Sequence, residues 1–407
     1  MTDDLVHRNV LGLPASVMLN LPLEVIDRLR EFGIAAGKGG LAPRTLKAMR
    51  SDGRIFATWC DAERQSWLPA TPRTVALFVE AMATAGKAPA TVQRYLASIA
   101  LWHRAAELAV PTSSLGVRMA RKAHVRAVGS RQRQAEPLGS ADIRSMLAVL
   151  ADEIDDRNAM TRLTALRDRA LLLVAHDTLA RASELVSMRW EDLAVDQEGD
   201  GRILIRRSKT DQEGRGVQRW LDGVTVEALT EWRVAHDAAL AIRQDGEADR
   251  LAALRDKRFP KQRARWPQGR KRRNPIIEPT RLEWIASPYI FRGLAAHTAA
   301  PAANQSNRAP ARGERLGWSL QLSTSAVSRI IKRRLIAIGI DPAGYSAHST
   351  RVGKVQDLLA DGVDLFGAMD AGGWATPAMP ARYGERILAG RGAVAQQHKR
   401  RRQGGGV

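Results

Sequence analysis

The chain has 407 residues, 44% of them apolar, with 63 Lys or Arg against 43 Asp or Glu and a formal net charge of +20. Its single cysteine, Cys60, rules out an internal disulfide and a zinc site built from cysteines. No apolar run reaches membrane-spanning length and the first residues lack the cationic start of a secretion signal, so a soluble, cytoplasmic protein without a membrane partner is expected. A compact chain carrying this much positive charge repels itself, so a polyanion is the expected partner, although a ribosome-associated or merely basic protein would share the charge.

The length fits two or three domains. Residues 1–20 show no period and read as a flexible arm. From Pro22 the pattern turns helical: LEVIDRLREFG, then PRTLKAMRSDGRIFATWCDAE, TPRTVALFVEAMATAG and APATVQRYLASIALWHRAAEL. Each carries apolar residues at spacings of three and four, bounded by Gly or Pro. Thr45 and Thr71 sit where helix starts are expected, and Cys60 falls on an apolar face as a buried structural thiol. A further short basic helix spans about 116–128. Residues 21–128 thus predict a helical bundle.

The stretch GSRQRQAEPLGS, residues 129–140, is polar, basic and without apolar period, and reads as a linker. Ser140 is placed to cap the next helix, ADIRSMLAVLADEI. TRLTALRDRALLLVAHDTL is apolar enough to be buried, and ARASELVSMRWEDL follows as a turn and helix. GRILIRRSKT and GRGVQRWL flank the turn TDQEG as a hairpin. VTVEALTEWRVAHDAALAI is helical again. Residues 244–283 form a basic insertion: between Arg255 and Arg273 ten Lys or Arg stand against one Asp. It is either a solvated, partly disordered segment or an anchor on phosphates. Order resumes at SPYIFRG, a Gly/Ala/Pro-rich loop covers 293–317, and LSTSAVSRIIKRRLIAIG is a basic helix. The tail HKRRRQGGGV is expected to fray. The fold class is mainly α: a helical bundle joined to a mostly helical α+β domain, 141–407, with a small antiparallel sheet.

Near the C-terminus, His348 and Arg351 stand three apart and share one face of a helix. A Gly-Gly break, Trp374 and Tyr383 follow. Opening a DNA phosphodiester without a metal needs a nucleophile, fixed cations for the non-bridging oxygens, and a proton for the leaving 5′ oxygen. Tyrosine can attack and conserve the bond as an ester. Arginine pairs with two phosphate oxygens and keeps its charge. Lysine can donate the proton when neighbouring cations lower its pKa.

These residues resemble the tyrosine recombinases, also called the phage integrase family, and within it the Cre branch. LARASELVSMRWEDL looks like the first box of the family, RRSKT like its lysine-bearing hairpin, HSTRVG like its second box, and AGGW like the position held by His or Trp; Tyr383 stands at the nucleophile position. The resemblance runs from about Pro22 to the tail, the basic insertion apart. It implies that Arg181 and Arg351 clamp the scissile phosphate, that His348 contacts it and takes the Tyr383 proton, and that Lys209 protonates the leaving oxygen. It further implies that Trp374 donates to a phosphate oxygen and that Glu184 orients its neighbours; Glu184 also fits a helix-start charge. The family often shows Gly before Leu or Met ahead of the first Arg; Leu179-Ala180 stands here, and is expected to shape the loop rather than the chemistry.

The function implied is site-specific recombination through a covalent 3′-phosphotyrosine at paired palindromic sites on double-stranded DNA, near a bacterial nucleoid or plasmid. No cofactor, ATP or metal is implied. Four protomers would assemble on two DNA sites from monomers or a weak association, with the segment after Tyr383 docking on a neighbour. An inactive DNA-binding protein of the same fold, a telomere resolvase and a type IB topoisomerase are the alternatives. DNA contacts are expected from Lys47, Arg50 and Arg54, from Gln93 and Arg94, and from Ser325, Arg329 and Lys332. The Cre branch presents an arginine near Ser325, so a different target site is expected.

Overall fold

A computed structural model describes residues 21–131, 133–208, 211, 213–256, 288–292, 294 and 321–403, with the backbone alone at 242–256 and 403. These residues divide into two compact units, one ending at Arg133 and one beginning at Gln134.

The first unit packs α1 (Leu23–Ala35), α2 (Pro43–Ala62), α3 (Pro72–Thr84), α4 (Pro89–Ala105) and α5 (Leu115–Val128). Three of these open on proline, whose missing N–H costs nothing in a first turn and whose φ is already helical. Thr71 caps α3, its hydroxyl accepting the Thr74 N–H at 3.1 Å. Thr45 is not a start: α2 begins two residues earlier, at Pro43. Leu29, Cys60, Phe78, Val92 and Trp102 fill the core. Burial pushes the Cys60 thiol up to about 12, which suits a structural role. Helices α2 and α4 cross closely because residue 53 is glycine; a Cβ there would meet the Trp102 Nε1 at 2.3 Å.

The second unit surrounds the long buried helix α7 (Ala159–Thr178). Before it runs α6 (Ser140–Ile154), and after it the four-residue α8 (Ala182–Leu185). A three-stranded antiparallel sheet follows in the order β1 (Leu193–Val195), β2 (Gly201–Ile205), β3 (Val217–Leu221). The expected hairpin is β2–β3, with Ile203 opposite Arg219; β1 is an added strand, too short to show a period of its own. Helix α9 (Gly223–Asp256) continues past the apolar run into the insertion. The rest of the insertion, 257–283, and the loop 295–317 lie outside the described residues. Then come α10 (Thr324–Ala337), α11 (Ser349–Ala360), α12 (Leu365–Gly372), α13 (Ala378–Tyr383), α14 (Glu385–Arg391) and α15 (Ala393–Gln403). No helix among the described residues is long and apolar enough to cross a membrane.

Three expectations need correction. The second half of the linker is packed: Leu138 is fully buried, and the Glu136 and Leu138 N–H groups donate to Gly344 and Ser349 carbonyls at 3.1 and 3.0 Å. The segment lies so close on α11 that a Cβ at Gly353 would sit 2.0 Å from the Leu138 carbonyl oxygen. Ser140 is the first residue of α6, and its hydroxyl donates instead to Asp357 on α11 at 2.7 Å. The tail is helical as far as Gln403. Lys399 reaches back to the Gly390 carbonyl at 3.1 Å, and the arginines at 400–402 suit the negative end of the helix.

Candidate active site

Helix α11 brings its first turn against the turn that joins α7 to α8. Arg351 is 1% exposed, with its Nη1 donating to the Leu179 carbonyl and its Nη2 to the Gly372 carbonyl at 3.0 Å. The Trp374 ring covers the guanidinium, with 4.5 Å between Cζ and the ring centre, a cation–π contact in a dry setting. Trp374 can lie there because residue 372 is glycine; a Cβ would penetrate its ring, 1.7 Å from the nearest carbon. Burial, then the neighbouring Arg181, bring the Arg351 pKa down to about 10, which leaves it charged at neutral pH.

Leu179 closes α7 in the left-handed region, at φ 50°. A non-glycine residue there costs about 1 kcal/mol. Its carbonyl is thereby aimed at Arg351, while its buried side chain joins Val352, Val355, Leu359 and Tyr383 in one apolar cluster. Arg181 follows at the head of α8. Glu184 accepts both its backbone N–H, at 2.8 Å, and its Nη1, at 2.6 Å. Glu184 is therefore both a helix-start charge and the partner that orients Arg181.

Tyr383 ends α13 and is 5% exposed. Its hydroxyl hydrogen-bonds the His348 Nε2, and its ring meets Trp374 edge-on, centres 5.7 Å apart. Gln356 on α11 donates to the Tyr383 carbonyl at 2.9 Å. Burial raises the phenol pKa despite Arg351, Arg181 and Arg382 nearby, so the cationic field alone does not make a phenolate. Burial, followed by Arg351 and Arg181, drives the His348 pKa down to about 4. The imidazole is thus neutral at working pH, and its Nε2 can accept the phenolic proton.

A cavity of about 570 Å³ opens beside this cluster, lined by Arg181, Glu184, Ser208, Arg215, Arg219 and Arg351 among others. Six of the seven residues singled out for catalysis, Arg181, Glu184, His348, Arg351, Trp374 and Tyr383, thus gather in one region of the second unit. Lys209 lies outside the described residues. Its neighbours Ser208 and Asp211 line the cavity, and Asp211 shapes the turn by accepting the N–H groups of Gly214, Arg215 and Gly216.

No protein-family model matches the chain. It is 25% identical over 382 residues to recombinase Cre of Escherichia phage P1, covering 91% of this chain and 90% of that one. Over nearly its whole length the chain is thus similar to a tyrosine recombinase. An integrase/recombinase XerD homologue of Selenomonas ruminantium is 34% identical over 180 residues, 44% of this chain and 50% of that protein. Among solved structures, XerH site-specific recombinase bound to palindromic difH substrate overlays with a TM-score of 0.49 and 15% identity, covering 84% and 76% of the two chains. The Tn1549 transposon integrase with circular intermediate DNA gives 0.47 and 12%, covering 88% and 94%.

Two polar residues of this site escaped the sequence reading. Gln356 lies five residues beyond Arg351, a spacing that by itself signals nothing. Arg219 sits on a strand whose inward face could have been read from the alternation with Leu221. The residues singled out for DNA contact lie on α2, α4 and α10. Lys47, Arg54, Gln93, Arg94, Ser325, Arg329 and Lys332 are exposed and Arg50 half-buried. Arg94 already holds the buried Asp52 at 2.6 Å, and Gln93 accepts from Arg121 at 2.8 Å. Both residues thus carry part of the bundle's own bonding.

Proposed function

We propose that this recombinase cleaves and rejoins double-stranded DNA at paired palindromic sites through a covalent 3′-phosphotyrosine. The observation that carries the reading is the hydrogen bond between the Tyr383 hydroxyl and a neutral His348, beside two arginines. In the proposed step the Tyr383 oxygen attacks the scissile phosphorus and its proton passes to His348 Nε2. The bond to the 5′ oxygen breaks, and Lys209 supplies that oxygen with a proton. Arg181 and Arg351 meet the charge that grows on the non-bridging oxygens, the contribution expected to dominate. Trp374 closes the site over Arg351. A 5′ hydroxyl from the partner duplex then attacks the phosphotyrosine, which restores the phenol, so each step exchanges one phosphodiester for another. Lys47, Arg50, Arg54, Gln93, Arg94, Ser325, Arg329 and Lys332 would hold the duplex, within four protomers on two sites. The net charge of +20 supports a polyanionic substrate.

The test begins with duplexes selected from a randomised pool by retention on the wild-type protein. A retained sequence is then nicked so that the freed fragment diffuses away and a covalent product accumulates. A protein–DNA adduct that survives denaturant supports the reading, and its mass locates the linkage on Tyr383. Retention without an adduct leaves a DNA-binding protein. Adduct formation and plasmid relaxation without exchange between two sites points to a topoisomerase.

The pH dependence is also specified. A free imidazole titrates near ~6.5, whereas His348 is held to about 4. The second-order rate constant for adduct formation reports the DNA-free protein. Its acid limb is expected near pH 4, with activity retained through pH 5–6. The rate at saturating DNA should fall off at a higher pH, because the bound phosphate favours the imidazolium. A limb near ~6.5 in the second-order constant would contradict a His348 held down by burial and its arginine neighbours. The linkage to stability has a definite sign. Between ~6.5 and about 4 the unfolded chain takes up a proton that the folded site refuses, so this group weakens the fold as pH falls through that window.

A further inference from the structure

Arg219 has no part in the chemistry above, yet its setting calls for one. It stands on β3 opposite Ile203, which is fully buried, and so points to the inward face of the sheet; its neighbours Gln218 and Trp220 are exposed. A charged group on an inward face loses hydration and persists where something offsets the loss. Here burial lowers the Arg219 pKa, while Asp370 and Glu184 act in the opposite sense. Its Nη1 donates to the Asp370 carbonyl at 3.0 Å. Its other terminal nitrogen lies against Gly373, where an added Cβ would be 2.4 Å away. Gly373 ends α12 in the left-handed region, at φ 63°, and the next residue is Trp374. Arg219 also shares the cavity with Arg181 and Arg351.

We propose that Arg219 is a positioning residue for strand cleavage: it fastens β3 to the Asp370–Gly373 turn, and so sets Trp374 against Arg351 and Tyr383. The inference rests on the strand-cleaving reading. Its hydrogen bond goes to the Asp370 carbonyl, so its effect runs through the turn. An indole ring that drifts by an ångström uncovers the Arg351 guanidinium and unseats the Tyr383 ring.

Arg219→Gln and Arg219→Lys, in the full chain, are compared with wild type on the nicked duplex described above. Arg219→Gln is expected to slow adduct formation by about 10- to 100-fold, as a misplacement near 1 Å would. Duplex retention should stay within about threefold, since the uniform contacts are untouched. Arg219→Lys keeps the charge and stem but not the planar fork, should recover part of the rate, and serves if the Gln variant fails to fold. The deciding measurement is a double-mutant cycle with Trp374→Phe. If Arg219 acts through Trp374, its substitution costs less than about threefold in the Trp374→Phe background. Wild-type rates in both Arg219 variants overturn the proposal. So do losses that multiply in the cycle, which would put Arg219 on the phosphate itself. A wild-type protein that forms no adduct overturns the strand-cleaving reading, and this one with it.

Discussion

Tyr383→Phe should abolish adduct formation, a loss on the order of 10⁴-fold or more, because it removes the proposed nucleophile itself. The substitution removes one oxygen from a ring that is 5% exposed and wedged between Trp374 and His348. Phenylalanine fills the same space, so only the hydrogen bond to His348 is lost, about 1 kcal/mol of stability. Retention of the selected duplex should therefore be unchanged within about threefold, which separates chemistry from binding. Residual covalent product in this variant would place the nucleophile elsewhere. Mixing adds a second test. Tyr383 bonds His348 of its own chain, so the phenol is seated beside its own protomer's histidine. A mixture of Tyr383→Phe and Arg351→Ala chains should be as inactive as either alone. Recovery of activity would mean that one protomer lends its phenol to another.

How much of this was legible in the sequence follows from how each feature is encoded. The helices of the first unit announce themselves through Pro43, Pro72 and Pro89 and a sustained apolar period. Helix α8, four residues long, and β1, three, are too short for any period to accumulate. His348 and Arg351 could be paired in advance because three residues on a helix fix a shared face. Tyr383 could be grouped with them because it falls in the same C-terminal stretch, whereas Arg181 joined from the resemblance, since no local pattern specifies a meeting across such a separation. The opposite holds for Gly353 and Gly372. Their place in HSTRVG and AGGW was visible, but their reason was not. One makes room for the Leu138 carbonyl and the other for the Trp374 ring, and both obstacles belong to the tertiary structure. The packed half of the linker was missed for a related cause: one apolar residue, Leu138, anchors it, and a single anchor leaves no periodicity. Arg219 was missed because a lone arginine in VQRWL reads as a surface residue until the strand's inward face is assigned.

Asp168→Asn should destabilise the second unit by about 3 kcal/mol, since removing one member of a buried ion cluster strands the others. Asp168 is fully buried on α7. Its Oδ1 accepts from Arg167 at 2.7 Å, and its Oδ2 from Arg334 at 2.9 Å and from Arg333. Arg334, 3% exposed, continues to Glu153 on α6 at 2.6 Å. One carboxylate thus ties α10 to α7, and Arg334 ties both to α6. Burial alone would raise the Asp168 pKa, but Arg167, Arg334 and Arg333 more than offset it and hold it below the usual carboxylate range. The group's stabilisation is therefore fully present above the unfolded value of ~3.9 and is lost as pH falls through the lower folded value. Urea midpoints of the variant and wild type should differ at pH 7 and draw together as the pH drops below about 4. Equal midpoints at pH 7, or a gap that ignores pH, would contradict the electrostatic account. Helix α10 also carries Ser325, Arg329 and Lys332 on its exposed side. If they meet DNA as proposed, loosening the helix weakens duplex retention too, and the weakening should track the urea midpoint. Restoring stability by a second, remote substitution should then restore retention, whereas a residue that touched DNA directly would gain nothing from it.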